Sequence, residues 1–174
     1  VAAQPERCHV IGAYALGKAQ RVIKLIREAG HDAPIYLHGA QEKLCGYYMD
    51  QGIDLGDLRK ALDRDKDAFP GHIVIAPPSA LRDRWSRRLP DPVVCQASGW
   101  MTIKQRAKQS GVELPLVISD HADWNELTDT ISATGADTVC VTHGREDALV
   151  HWCRQRGRQA EPLYLQGREE DSGE

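Results

Sequence analysis

Short runs of apolar, often β-branched residues alternate along this chain with stretches that carry apolar residues at helical spacing. The apolar runs predict strands over residues 8–14, 34–37, 72–76, 92–97, 116–119, 138–142 and 162–165. The periodic stretches predict helices over residues 15–29, 41–50, 55–65, 79–88, 102–109, 124–133 and 146–156. Alternating elements with short connections are typical of an α/β fold with a parallel or mostly parallel sheet.

One change in this rhythm suggests a boundary within the chain. The alternation becomes strict after Pro115, so we expect a domain boundary within residues 112–115. The polar, acidic run over residues 168–174 predicts a disordered end. The chain begins at Val1 rather than at a methionine, which fits either a processed protein or a piece of a longer one.

Composition narrows the class of protein without choosing a function. At 174 residues, with a formal net charge of −3, the chain has the composition of an ordinary soluble globular protein. Its five cysteines are widely spaced and form no Cys-x-x-Cys pair, which predicts reduced thiols in a cytoplasmic protein. Cys140 and Cys153 are expected to be buried. We find no signal peptide and no apolar stretch of membrane-spanning length.

Two histidines stand at the ends of predicted strands. His121 follows the run 116–119, and His143 follows the run 138–142. The carboxyl ends of parallel strands meet at one edge of a sheet, where ligands and catalytic groups collect. Each could alternatively be an exposed loop histidine. Asp120 and Asp123 flank His121 closely enough to orient it or to cap the next helix.

A strand-to-helix turn at Gly17-Lys18 is a candidate phosphate contact, since a helix N-terminus presents free N–H groups and Lys18 adds positive charge. It lacks the spacing of a nucleotide-hydrolysing phosphate loop. Ser98, which follows another strand, and Arg145, which opens a helix, suggest further anion contacts. Neither Ser79 nor Ser98 lies in a Gly-x-Ser-x-Gly elbow, so a serine hydrolase is not predicted.

Cations and tryptophans are concentrated in the middle of the chain. Between residues 82 and 108 there are two acids, Asp83 and Asp91, together with Trp85 and Trp100. The basic residues of this segment are Arg82, Arg84, Arg87, Arg88, Lys104, Arg106 and Lys108. Phosphate backbones and unpaired bases are bound by such mixtures of cations and stacking surfaces, although solvated helix faces also have this composition.

Three segments together carry a resemblance to a known family: residues 13–20 (AYALGKAQ), 118–124 (ISDHADW) and 141–146 (VTHGRE). They resemble the β-CASP branch of metallo-β-lactamase-fold nucleases, and most of all the ligase-associated DNA exonucleases, also described as mRNA 3′-end processing exonuclease-like proteins. The resemblance implies a β-CASP cap domain over residues 1–113, the C-terminal part of a metallo-β-lactamase (αββα) domain over 114–168, and a disordered tail over 169–174.

The same resemblance implies roles for individual residues. His121 would be the catalytic histidine beside the scissile phosphate, and His143 a ligand of one of two zinc ions. Gly17, Lys18, Ser98, Ser119 and Arg145 form the candidate phosphate-binding set. The implied function is zinc-dependent hydrolysis of phosphodiester bonds in DNA or RNA, in DNA repair or RNA processing. An ATP-dependent DNA ligase or a helicase is the implied partner, and a homodimer is a further possibility.

The family's main metal-binding signature, His-x-His-x-Asp-His, does not occur in these residues. We therefore expect a C-terminal fragment that alone binds no catalytic zinc and cuts nothing, because a catalytic zinc needs about three protein ligands. Two other functions stay open: a nucleic-acid-binding cap without catalysis, and a doubly wound domain that binds a nucleotide or sugar phosphate.

Overall fold

The computed structural model describes residues 1–63, 65, 68–142 and 146–163. They divide into two compact units, Val1–His121 and Ala122–Glu174. The expected boundary at 113/114 lies inside the first unit, because residues 114–116 pair with its sheet. Among the described residues no helix is long and apolar enough to cross a membrane.

The first unit is an α/β sandwich around a six-stranded sheet in which every pairing is parallel. Its spatial order is β3-β2-β4-β1-β5-β6. The strands are β1 (His9–Gly12), β2 (Ile35–Leu37), β3 (Leu58–Lys60), β4 (Ile73–Ala76), β5 (Val93–Ala97) and β6 (Leu114–Leu116). The helices are α1 (Lys18–Glu28), α2 (Gly39–Asp50) and α3 (Lys104–Gln109). The predicted α/β class and mostly parallel sheet are confirmed.

The central strand, β1, is fully buried and separates two apolar clusters. Ile11 belongs to the cluster that includes Val22 and Ile23 of α1, whereas Val10 belongs to the cluster around Phe69. Successive side chains of a strand point to opposite faces of the sheet, so the core lies on both sides. Gly12, the last residue of β1, is level with Ala76 and Gln96 on the neighbouring strands, and these strands therefore end at one edge.

Two predicted helices are absent from the described residues of this unit. Residues 55–65 were expected to be helical from their apolar spacing, but they form β3 and a 3-10 turn, Ala61–Asp63. Arg27 holds the preceding loop by donating hydrogen bonds to the carbonyls of Leu55 and Asp57, and Gly56 has a positive φ of 71°. Residues 79–88 form two 3-10 turns, Pro78–Arg82 and Arg84–Arg88, instead of one helix.

The strand expected over 116–119 ends at Leu116 and begins at Leu114, so that Pro115 lies within it. Proline is tolerated there because β6 is an edge strand. The residues after Leu116 are consequently free to form a loop.

The second unit contains α4 (Trp124–Thr134), β7 (Thr138–Val141), α5 (Glu146–Gln155) and β8 (Gln159–Pro162), with β7 and β8 parallel. The last strand lies earlier than the expected 162–165. The core of the second unit includes Val141, Leu149 and Cys153, which confirms the expected burial of Cys153. Cys140 is exposed, so the expectation that it is buried was wrong: it alternates with buried Val141 along β7. The predicted tail over 169–174 lies outside the described residues.

Arg27 and Gly56 yield a test of the first unit. A Cβ added to Gly56 would lie 2.5 Å from Arg27 Nε, and the positive φ adds backbone strain. We expect Gly56→Ala to lower the free energy of unfolding by about 1–3 kcal/mol, measured by urea denaturation. Gly46→Ala is the matched control, because a Cβ there meets nothing within 4 Å in the helix α2. Equal free energies of unfolding for the two variants would contradict the close packing of Gly56 against Arg27.

Candidate active-site edge

The loop that follows β6 carries the sequence-predicted residues Ser119 and His121. Ile118 packs against the core, and Arg21 of α1 donates a hydrogen bond to the Ser119 carbonyl over 2.6 Å. The Ser119 hydroxyl accepts a hydrogen bond from the backbone N–H of His121 at 3.1 Å. A loop without regular pairing is therefore fixed in place near the start of α1.

Lys18 and Asp120 form the closest ion pair of this region. Lys18 Nζ lies 2.7 Å from Asp120 Oδ1, and the Lys18 side chain is only 4% exposed. The Lys18 ammonium group, which donates to this carboxylate, holds the pKa of Asp120 below its ordinary value. Lys18 is thus buried against a partner, and its main contact is a carboxylate of the same chain. A direct phosphate contact by Lys18 stays a prediction.

His121 extends from this loop into solvent, with a side chain that is 90% exposed. Its Nε2 is 3.9 Å from Asp120 Oδ1, which is too long for a hydrogen bond but close enough for an electrostatic interaction. An exposed imidazole can donate a proton to a bound molecule or accept one from it. The geometry therefore gives His121 the access that the sequence prediction requires.

Gly17 and the first turn of α1 are less available to a ligand than the sequence suggests. Gly17 has a φ of 78° at the start of the helix. The backbone N–H groups of Lys18 and Ala19 already donate to the carbonyls of Leu16 and Tyr14. Two of the amides that would hold a phosphate at this helix N-terminus are thus satisfied within the turn.

Ser98 lies at the same edge, directly after β5. Its hydroxyl accepts a hydrogen bond from the Trp100 N–H at 3.2 Å, so it caps the short 3-10 turn Gly99–Thr102. A Cβ on Gly99 would lie 3.2 Å from Ser119 Cβ, which shows how closely the two loops approach. The structure therefore brings Lys18, Ser98, Ser119 and His121 to one edge.

The basic segments leave the sheet at this edge as well. We define them as residues 78–88, which follow β4, and residues 99–109, which follow β5. Their exposed cations are Arg82, Arg84, Arg87, Lys104, Arg106 and Lys108. Of the two tryptophans, Trp85 is half-buried and contacts the His38 ring at 4.6 Å, whereas Trp100 is 58% exposed. The Arg106 guanidinium lies 3.8 Å from the centre of the Trp100 ring.

Two predicted site residues, His143 and Arg145, lie outside the described residues. Sequence reasoning also missed Arg21, which holds the Ser119 loop, and Tyr14, whose ring centre is 5.4 Å from Lys18 Nζ. Arg21 could have been found from its position one helical turn after Lys18, because residues three apart share a helix face.

Comparisons with known proteins give one partial similarity. A protein of Opitutus terrae named "Probable DNA ligase" is 28% identical to this chain over 151 residues, which is 87% of the chain and 14% of the relative. The chain therefore corresponds to a small part of that relative. No family model matches the chain, and no solved structure matches it.

The Lys18–Asp120 pair predicts a pH-dependent loss of stability. Asp120→Asn leaves the buried Lys18 charge without its partner, which should cost about 1–3 kcal/mol at pH 7. Because the pKa of Asp120 is lowered by folding, its contribution is complete above the unfolded value of about 3.9 and is lost as pH falls through the folded value. Urea denaturation should therefore show a gap between wild type and variant that closes in acid.

Lys18→Met should remove the same pH-dependent contribution to the free energy of unfolding. Lys24→Met, on the same helix, is the matched control and should leave that contribution intact. A gap between wild type and Asp120→Asn that stays constant from neutral to acid pH would contradict the pairing.

Proposed function

We propose that this chain binds a strand of DNA or RNA along the carboxyl edge of its six-stranded sheet, as part of a larger enzyme that hydrolyses phosphodiester bonds. One observation carries the proposal: an exposed His121, fixed by its loop, lies at the edge from which both basic segments leave the sheet. Cations supply affinity for the phosphate backbone, and the imidazole supplies a group that can move a proton.

The similarity to a protein named "Probable DNA ligase" supports a nucleic-acid substrate. Because the chain spans 14% of that relative, ligation is not carried over to it. The β-CASP resemblance of the segments around Lys18, His121 and His143 supports hydrolysis instead. A DNA ligase or helicase that acts together with this chain remains part of the proposal.

In the proposed reaction water attacks the phosphorus atom, the bond to the leaving oxygen breaks, and the proton that the attacking water loses passes to solvent. Protonated His121 donates its proton to that oxygen as it leaves, which prevents the build-up of an alkoxide. Asp120 Oδ1 lies 3.9 Å from His121 Nε2, and Lys18 holds Asp120 in place. The role of His121 is thus general acid, and Lys18 and Asp120 are positioning residues.

Zinc is implied by the family resemblance, and we tested whether the residues fit it. The described part of the chain contains no group of three or more His, Cys, Asp or Glu side chains that could hold a metal ion. Since a catalytic zinc takes about three protein ligands, these residues do not form its site and we assign no zinc-dependent step to them. A ligand role for His143 stays a prediction.

The alternative of a small-nucleotide site at Gly17-Lys18 is less well supported. Such a site would need free amides at the start of α1 and a free ammonium group. Here the Lys18 and Ala19 amides donate within the turn, and Lys18 Nζ is 2.7 Å from a carboxylate. The two hypotheses differ in how binding responds to salt.

Binding of a labelled single-stranded oligonucleotide should weaken steeply with salt. With about three to six phosphate contacts, we expect the logarithm of the binding constant to fall with the logarithm of the salt concentration with a slope of about −2 to −4. Arg84→Ala or Arg87→Ala should each make this slope shallower by about 0.7. Fluorescence anisotropy with DNA and RNA strands measures the slope for the unaltered chain and for each variant. Lys24→Ala is the control. Saturable mononucleotide binding with no salt-sensitive strand binding would favour the alternative.

The catalytic role of His121 is tested in the larger enzyme of which this chain is proposed to be a part, expressed from its whole gene. His121→Ala should lower kcat for strand hydrolysis by about 10²–10⁴-fold with little change in KM, since general acid catalysis contributes a factor of this size. His151→Ala, at another exposed histidine, serves as the control.

Two results would count against this role. An unchanged kcat in His121→Ala would remove His121 from the chemistry. Strand binding without hydrolysis in the unaltered full-length polypeptide would favour a cap that binds nucleic acid only.

A further inference from the structure

A cavity of about 220 Å³ opens between the segments that follow β1, β4 and β5. Its lining includes Tyr14 from the first segment, Pro78 from the second, and Ser98, Trp100 and Arg106 from the third. Sites for drug-sized ligands are about 300–1,000 Å³. This cavity is therefore suited to a single flat ring system, rather than to a whole nucleotide with its phosphates.

The aromatic side chains of this cavity are unusually exposed for their size. Tyr14 is 63% and Trp100 is 58% exposed. The Arg106 guanidinium carbon lies over the Trp100 ring, 3.8 Å from its centre, within the distance of a cation–π contact. Unpaired bases stack on aromatic rings and on guanidinium planes. An aromatic residue from each of two chain segments thus borders one ring-sized space.

Gln96 gives the cavity a polar group that can contact the edge of a base. It lies on β5, is half-buried, lines the cavity, and its amide makes no hydrogen bond to another described residue. An amide offers one acceptor and two donors, the combination that recognises base edges. Gln96 can therefore contact both the donors and the acceptors of a base edge.

The cavity adjoins the proposed catalytic edge. Tyr14 borders it and also places its ring centre 5.4 Å from Lys18 Nζ, which in turn holds Asp120 and the His121 loop. On the other side Ser98 borders the cavity, and the adjacent Gly99 closely approaches Ser119. A nucleotide with its base in the cavity would therefore have its phosphates near His121.

We propose that this cavity is a subsite for one unpaired nucleobase, which places the neighbouring phosphodiester at His121. This inference rests on the proposed function and deepens it, because it restricts the substrate to single strands or frayed ends. Trp100 and Arg106 supply the stacking surface, and Gln96 contacts the base edge. A paired base inside a duplex cannot enter such a space.

The test compares two short single strands of equal length in fluorescence anisotropy, one ordinary and one in which every nucleotide is abasic. Trp100→Ala should weaken binding of the ordinary strand roughly five- to a hundred-fold, the range expected for one base–aromatic stack. The same variant should change binding of the abasic strand by less than about twofold, since its phosphates are retained. Trp124→Ala, at another exposed tryptophan, should alter neither.

Trp100→Phe is a second variant that keeps a stacking ring, and it should restore most of the preference for the ordinary strand. If Trp100→Ala weakens both strands equally, or neither, the base subsite is overturned while strand binding stands. If the unaltered chain binds neither strand, the proposed function falls together with the subsite.

Discussion

Burial of the Lys18 ammonium group is the constraint on which the candidate site depends. A buried cation needs a nearby anion, and Asp120 supplies it from a loop that is distant in sequence. This single contact joins the first turn of α1 to the loop that carries His121. Arg21 adds a second link between the same helix and the same loop. The loop that carries the exposed imidazole is thus held by two contacts, although it has no regular secondary structure.

The order of the strands makes this contact possible. β1 lies in the middle of the sheet, with β4 on one side and β5 and β6 on the other. Because every pairing is parallel, the segments after β1, β4, β5 and β6 all leave the same edge. Cations, stacking rings and the His121 loop are therefore neighbours, although they come from four separate parts of the chain. An edge with this content fits the proposed binding of a nucleic-acid strand.

Much of the sheet could be predicted from the sequence, and the errors have physical causes. Buried strands such as β1 and β4 are largely continuous apolar runs, and this pattern predicts them directly. β3 and β6 are edge strands with weak patterns: β3 is short and mostly exposed, and β6 contains a proline. The sequence predicted His121 and His143 at one edge, and His143 lies outside the described residues; the structure brings Lys18, Ser98 and Ser119 to the edge of His121. No local sequence pattern encodes the tertiary contacts. These contacts pair Lys18 with Asp120. They also place Trp85 against His38 and leave Trp100 exposed.

The central claim is that a nucleic-acid strand lies along the carboxyl edge of the six-stranded sheet. Photo-crosslinking of the chain to a single strand that carries a photoreactive base, followed by mass spectrometry of the crosslinked peptides, tests it most directly. We expect crosslinks in the segments after β1, β5 and β6, at Tyr14, Trp100 and His121 above all. Crosslinks confined to the opposite edge of the sheet, around Arg27 and Gly56, would contradict it.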